Sequence, residues 1–210
     1  MVSINKLLLE PAAKPLLFLL ALVPFGWLLY GALANTLGPN PAEHLIRSTG
    51  DWVLRFLCLT LAVTPLRQWT GWTAVARWRR MLGLYTFFYG TLHFLCYAWL
   101  DMGFDPAAIV RDIPKRPFVL VGTLALLLMA PLAATSFNRA VKALGAARWR
   151  LLHRLVYGVA PLALLHFFWM RSAKNNLGEV GVYALIIALL LGWRAWKAWP
   201  RLRGRGTVRA

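Results

Sequence analysis

Acidic residues are scarce. Seven Asp and Glu stand against 24 Lys and Arg, a formal net charge of +17 over 210 residues. Cysteine is nearly absent: Cys58 and Cys96 each lie inside an apolar run, without CxxC spacing. That excludes a disulfide framework or a zinc site and leaves both as small packing residues. No GxGxxG and no Walker sequence occurs, so no nucleotide domain is indicated and any NAD(P)H has to act through another protein. There is no internal repeat and no low-complexity stretch, and only the tail RLRGRGTVRA (201–210) reads as disordered. Lys6 and Lys14 precede an apolar run that no small-residue cleavage site follows, so an uncleaved first helix is expected.

What the chain has in abundance is apolar residues, 60% of the total, against 45–50% in soluble domains. A spanning helix needs roughly 20 of them. Six segments approach that length: 15–34, 50–67, 81–101, 117–135, 150–170 and 179–199. The second carries Asp51 and Arg55 in its first turns, spaced i and i+4 as a helix ion pair would be. The basic residues fall between the segments. If the N-terminus, the loops near 68–80 and 136–150, and the C-terminus share one side, that side collects 17 of the 24 cations. Six of the seven acids fall on the other. This bias predicts both termini in the cytoplasm. Most of the cations then anchor the chain to anionic lipid, and nucleic acid is excluded as a partner. Trp69, Trp72, Trp78, Trp99, Trp149, Trp169 and Trp199 lie near the expected interfaces, as an aromatic belt. The expected fold is an all-α membrane protein, a six-helix transmembrane bundle in one domain (1–210).

Of the four histidines, His44 falls in the first outer loop, while His93, His153 and His166 fall within expected spans. Ionisable groups there are costly and usually face the bundle interior. From Met81 to His93 is about 18 Å of helix, and from His153 to His166 about 20 Å. His93 and His166 therefore reach a similar depth in the outer half. Two neutral imidazoles at one level can be axial ligands of a heme iron. On an ideal helix His153 and His166 would lie about 140° apart, and a kink at Pro161 is expected to realign them. Arg47 and Arg55 are candidates for the anionic edge of such a macrocycle. Arg77, Arg79 and Arg80, just before the third segment, either anchor the membrane face or else hold a flavin phosphate or meet a soluble reductase.

The stretch RWRRMLGLYTFFYGTLHFLCY (77–97), the loop NPAEHLIRSTGDW (40–52), PLAATS (131–136) and RWRLLHRLVY (148–157) together resemble the MsrQ family, formerly YedZ. These are heme-binding membrane subunits of bacterial protein-methionine-sulfoxide reductase systems. The resemblance covers about residues 40–170. It implies a ferric-reductase-like transmembrane fold in the bacterial inner membrane, with a heme-binding core of about 45–170. It implies electron transfer from the quinone pool, or from a cytoplasmic flavin reductase, to the periplasmic molybdopterin enzyme MsrP, which repairs oxidised methionines. It implies heme b, one or two per chain, and FMN. His93 matches the family's third-helix ligand, and His153 and His166 its fifth-helix pair. Where two-heme relatives carry a second third-helix histidine, this chain has Arg79 or Arg80, so an inner heme on His153 lacks an obvious second ligand.

Two other functions fit the residues. A histidine-relay transporter or proton channel would also put titratable groups in the membrane, but no carboxylate lies deep in any span. A stand-alone ferric reductase would use the same histidines and is disfavoured by the missing nucleotide motifs.

Overall fold

The computed structural model describes residues 4–172 and 177–203, with side chains through residue 199. No strand occurs among the described residues. A short α1 (Ile4–Leu9) precedes α2 (Ala13–Leu33). Then come α3 (Pro41–Thr70), a 3-10 turn at Thr73–Arg77, and α4 (Arg79–Cys96), which ends in a π-helical stretch at Tyr97–Asp101. α5 (Pro106–Lys115) and α6 (Pro117–Ala134) follow, then α7 (Asn138–Leu152) and a 3-10 turn at His153–Leu155. α8 (Val156–Ser172) and α9 (Gly178–Arg203) complete the order.

Local chemistry sets these boundaries. α3 begins nine residues earlier than the apolar pattern suggests. The Asn40 side chain accepts a hydrogen bond from the Glu43 N–H at 3.2 Å, and Pro41 takes the first helical position. His44, expected in an outer loop, therefore sits in the first turns of α3. The helix stops at Gly71, whose φ of 73° only glycine adopts freely. Asp105 caps α5 by accepting from the Ala107 N–H at 2.8 Å. The loop expected near 136–150 is helical instead, as α7. α9 continues through Arg203, so the first residues of the expected disordered tail extend a helix; 204–210 lie outside the described residues.

A helix covers each of the six apolar segments. Among the described residues four stretches are long and apolar enough to cross a membrane: Ala13–Leu33, Pro117–Ala134, Asn138–Ser172 and Gly178–Trp199. α3 and α4 fall outside that set for a physical reason. They pack along each other at the centre of the bundle and bury residues such as Leu57, Leu61, Met81 and Tyr85. A helix shielded from lipid by its neighbours tolerates charge. α2 does the opposite and exposes Leu16, Leu19, Val23, Trp27 and Leu33 around its surface, as a lipid-facing helix does.

α2 is fastened to α4 by two tyrosines. The Tyr85 hydroxyl donates to the Phe18 carbonyl at 2.8 Å. The fully buried Tyr89 hydroxyl donates to the Ala21 carbonyl at 2.8 Å and accepts from the Phe25 N–H at 3.1 Å. Pro24 lies between those two groups, so a side chain enters the α2 ladder where proline disturbs it. Phe56 stacks on both tyrosine rings, at 5.4 and 5.3 Å between centroids. Tyr89→Phe is expected to cost about 1 kcal/mol, since it leaves two buried backbone groups without this partner. Thermal unfolding of the purified protein in detergent measures it, and an unchanged transition temperature would show that α2 closes its own ladder.

Candidate functional site

His93 projects from α4 and His166 from α8 into one cavity among α3, α4, α6 and α8, with a volume of about 230 Å³. Their ring centroids are 5.9 Å apart and their planes cross at 81°. Each ring is held by the same device. His93 Nδ1 lies 2.8 Å from the Ile46 carbonyl, and His166 Nδ1 lies 2.7 Å from the Phe118 carbonyl. A carbonyl only accepts, so each Nδ1 carries the proton. Each Nε2 is then the unprotonated nitrogen, a lone pair directed away from the carbonyl. Thr49 braces the first site, with its hydroxyl 2.9 Å from the Ile46 carbonyl and 3.4 Å from His93 Nδ1.

A glycine stands four residues after each of those carbonyls. A Cβ on Gly50 would lie 3.1 Å from His93 Cε1, and one on Gly122 would lie 2.8 Å from His166 Nδ1. Glycine at these places lets each imidazole reach past the helix surface to a main-chain oxygen. The sequence reading did not single out either residue. Glycine inside an apolar helix is the signal that would have found them.

At the end that the charge bias leads one to expect on the outer side, the rim of this cavity carries Arg47, Arg116 and Arg171. Each has a carboxylate: Arg47 pairs with Glu43 at 2.5 Å, Arg116 with Asp112, and Arg171 with Glu179 at 2.7 Å and Asp51 at 3.5 Å. The pairing expected between Asp51 and Arg55 is replaced by this link to α8. Arg55 is not brought to the cavity. Its guanidinium lies 4.5 Å over the Trp52 ring, in a separate groove against α2 that also contains His44.

His153 belongs to a second cavity of about 340 Å³ toward the other end of the bundle. Its ring stacks on Trp149 at 3.9 Å, and Nε2 lies 3.2 Å from the Thr135 hydroxyl. His153 and His166 thus share no cavity. The 3-10 turn at His153–Leu155 separates them, and an alignment through Pro161 is not needed. Arg79 and Arg80 line this inner cavity with Arg150, Arg154 and Arg194. Arg79 donates to the Thr64 hydroxyl at 3.3 Å and Arg80 to the Asn138 side-chain oxygen at 2.8 Å. Among the described residues none of these five arginines has an ion-pair partner, and the buried Thr60 hydroxyl at this cavity has no hydrogen-bond partner. Met129 lines both cavities.

The arrangement offers a metal two neutral imidazole nitrogens within one largely apolar chamber. No cluster of three or more His, Cys, Asp or Glu occurs among the described residues, so a third protein ligand is not on offer. That suits a metal whose remaining positions come from a macrocycle.

Comparison with known proteins agrees in kind. Residues 49–164 match the family model described as ferric reductase like transmembrane component. The chain is 63% identical to the protein-methionine-sulfoxide reductase heme-binding subunit MsrQ of Polaromonas naphthalenivorans (strain CJ2), over 96% of this chain and 92% of that one. It is 53% identical to the protein of the same description from Ralstonia nicotianae, over 91% and 88%, and 46% identical to that of Xanthomonas campestris pv. campestris, over 83% and 78%. No solved structure matches the chain.

On the outer side, Asp112 ties α5 to the rim. Its carboxylate accepts from the Tyr97 hydroxyl at 2.7 Å and from Arg116 Nε at 2.7 Å. The hydrogen bond from Arg116 is the main cause holding this carboxyl below its usual range. A depressed folded-state value contributes stability above the ordinary carboxylate range of about 4, lost as the pH falls through the lower folded value. Amide protection factors in 106–116, corrected for the intrinsic exchange rate at each pH, are therefore expected to be high at pH 5 and to fall below about 4. In Asp112→Asn they should be low at both, and equal protection in the variant would sever this link.

Proposed function

Because the chain belongs to the MsrQ family of heme-binding subunits, within the ferric-reductase-like transmembrane proteins, we propose that His93 and His166 hold one heme b between them. The observation that carries this is the pair of Nε2 atoms left free when Nδ1 of each ring is spent on a carbonyl. The spacing would allow it: the two ring centroids are 5.9 Å apart across one cavity, so both imidazoles could reach a metal held between them. A bound heme's propionates would be met by Arg47, Arg116 and Arg171, which line this cavity, rather than by Arg55, which does not. A heme so ligated supplies a one-electron couple without an open coordination site, which suits electron transfer over oxygen binding. The protein fixes the tautomer and orientation of both imidazoles, excludes water with Val53, Leu54, Leu126 and Phe167, and sets the local charge.

On this reading all six long helices span the bacterial inner membrane as a single domain, with both termini cytoplasmic and the heme-binding core at about 45–170. The chain passes electrons from the quinone pool, or from a cytoplasmic flavin reductase, to a periplasmic molybdopterin reductase, MsrP. The inner cavity faces the donor side. Its arginines, unpaired among the described residues, support an anionic cofactor there, with Arg79 and Arg80 on the phosphate of FMN. A second heme on His153 is the other occupant, and the single histidine in that cavity favours the flavin.

Redox spectra of the wild type beside four variants test the assignment. His93→Ala and His166→Ala should each lose the low-spin b-type signal and most of the bound heme. Gly122→Ala should push His166 off its carbonyl, lowering heme content severalfold. His153→Ala should keep the low-spin signal. Wild-type heme content in either His93→Ala or His166→Ala would refute the ligand pair.

A further inference from the structure

The inner end of the bundle carries a third recess that neither cavity described above uses. It opens sideways, between α7, α8 and the lower part of α6, and has a volume of about 660 Å³. Its lining is largely apolar, with Leu128, Leu151 and Leu155 beside the exposed Gly158. Leu151 is 64% exposed, and a Cβ on Gly158 would meet nothing within 4 Å. Arg148 and Arg154 stand at its edge.

The charges here lack any answering carboxylate. No acidic residue occurs between Asp112 and Glu179, while that interval contains Lys115, Arg116, Arg139, Lys142, Arg148, Arg150, Arg154, Arg171 and Lys174; of these, Arg116 pairs with Asp112. Arg171 lies at the outer rim and has its own acids. Arg148 and Arg154 have no ion-pair partner among the described residues. α7 divides its cations by face. Arg150 lines the inner cavity, whereas Arg148, two positions or about 200° around the helix, lines the lateral recess.

An apolar slot open to the side of a membrane bundle takes an acyl chain. Two arginines at its mouth, near the membrane surface, take a phosphate in fork geometry. We propose that this recess is a binding site for an anionic phospholipid, with its headgroup phosphate on Arg148 and Arg154 and one chain against Leu151, Leu155 and the exposed Gly158. Basic recesses between membrane helices are suited to such headgroups. The site is independent of the histidine pair and stands whether or not that pair holds heme.

The test is lipid retention and thermal stability of the purified full chain. The wild type should keep phosphatidylglycerol or cardiolipin in native mass spectrometry. Its unfolding temperature should rise in mixed micelles with phosphatidylglycerol but not with phosphatidylcholine. Arg148→Glu is the chosen charge variant, because Arg154 also lines the inner cavity. It should weaken the phosphatidylglycerol effect about thirtyfold in apparent affinity. Gly158→Leu keeps both arginines and fills the open space there; it should abolish retention while leaving the redox spectrum of the wild type. Equal retention by the wild type and both variants would overturn the site. So would the same stabilisation of the wild type by inorganic phosphate alone, because the acyl slot would then contribute nothing.

Discussion

The bonds from His93 Nδ1 to Ile46 and from His166 Nδ1 to Phe118 constrain everything around them. They fix each proton, and so fix which nitrogen faces the chamber. To form, they need a ring pressed onto a helix surface, and that surface must be glycine at 50 and 122. They also need α3 and α6 to bring main-chain oxygens to the level of the imidazoles. A helix carbonyl already serves its own ladder, so here it is shared between an N–H four residues on and a side chain. The two halves of the chamber repeat one design, α3 receiving a histidine from α4 and α6 receiving one from α8.

The charge plan of the molecule differs between its two ends. At the outer rim every arginine lining the histidine chamber has a carboxylate within reach. At the inner end the arginines point into cavities with no acid to meet them, because the sequence supplies almost none there. Of these arginines only Arg194 is half-buried, the others being exposed. The inner end therefore presents a positive field that attracts something negative from outside the chain. The outer end can stay closed until a ligand competes for its arginines.

Much of this was legible beforehand, and the failures have physical causes. The six apolar segments became helices because hydrophobic length is a strong signal in a membrane chain. The similar depths of His93 and His166 followed from helical rise alone. The start of α3 was misplaced because Asn40 and Pro41 begin a helix that is polar for its first turns, and hydropathy does not see capping. Arg55 was a candidate because it was expected near the outer interface, whereas its side chain leaves on the face of α3 that carries Trp52 and meets α2. Arg116 and Arg171 were overlooked because they sit at helix ends far apart in the chain, where charge looks like ordinary solvation. The glycines were missed because their role is an absence of atoms.

Met129 belongs to the walls of both chambers, and its methyl occupies the space beside Gly90, where a Cβ would approach it to 3.1 Å. One unbranched thioether with three rotatable bonds thus serves as the septum between an upper and a lower compartment. Such a septum yields easily, so room gained on one side is taken from the other. Filling the upper compartment would therefore be expected to restrict the room this one side chain has on the lower side.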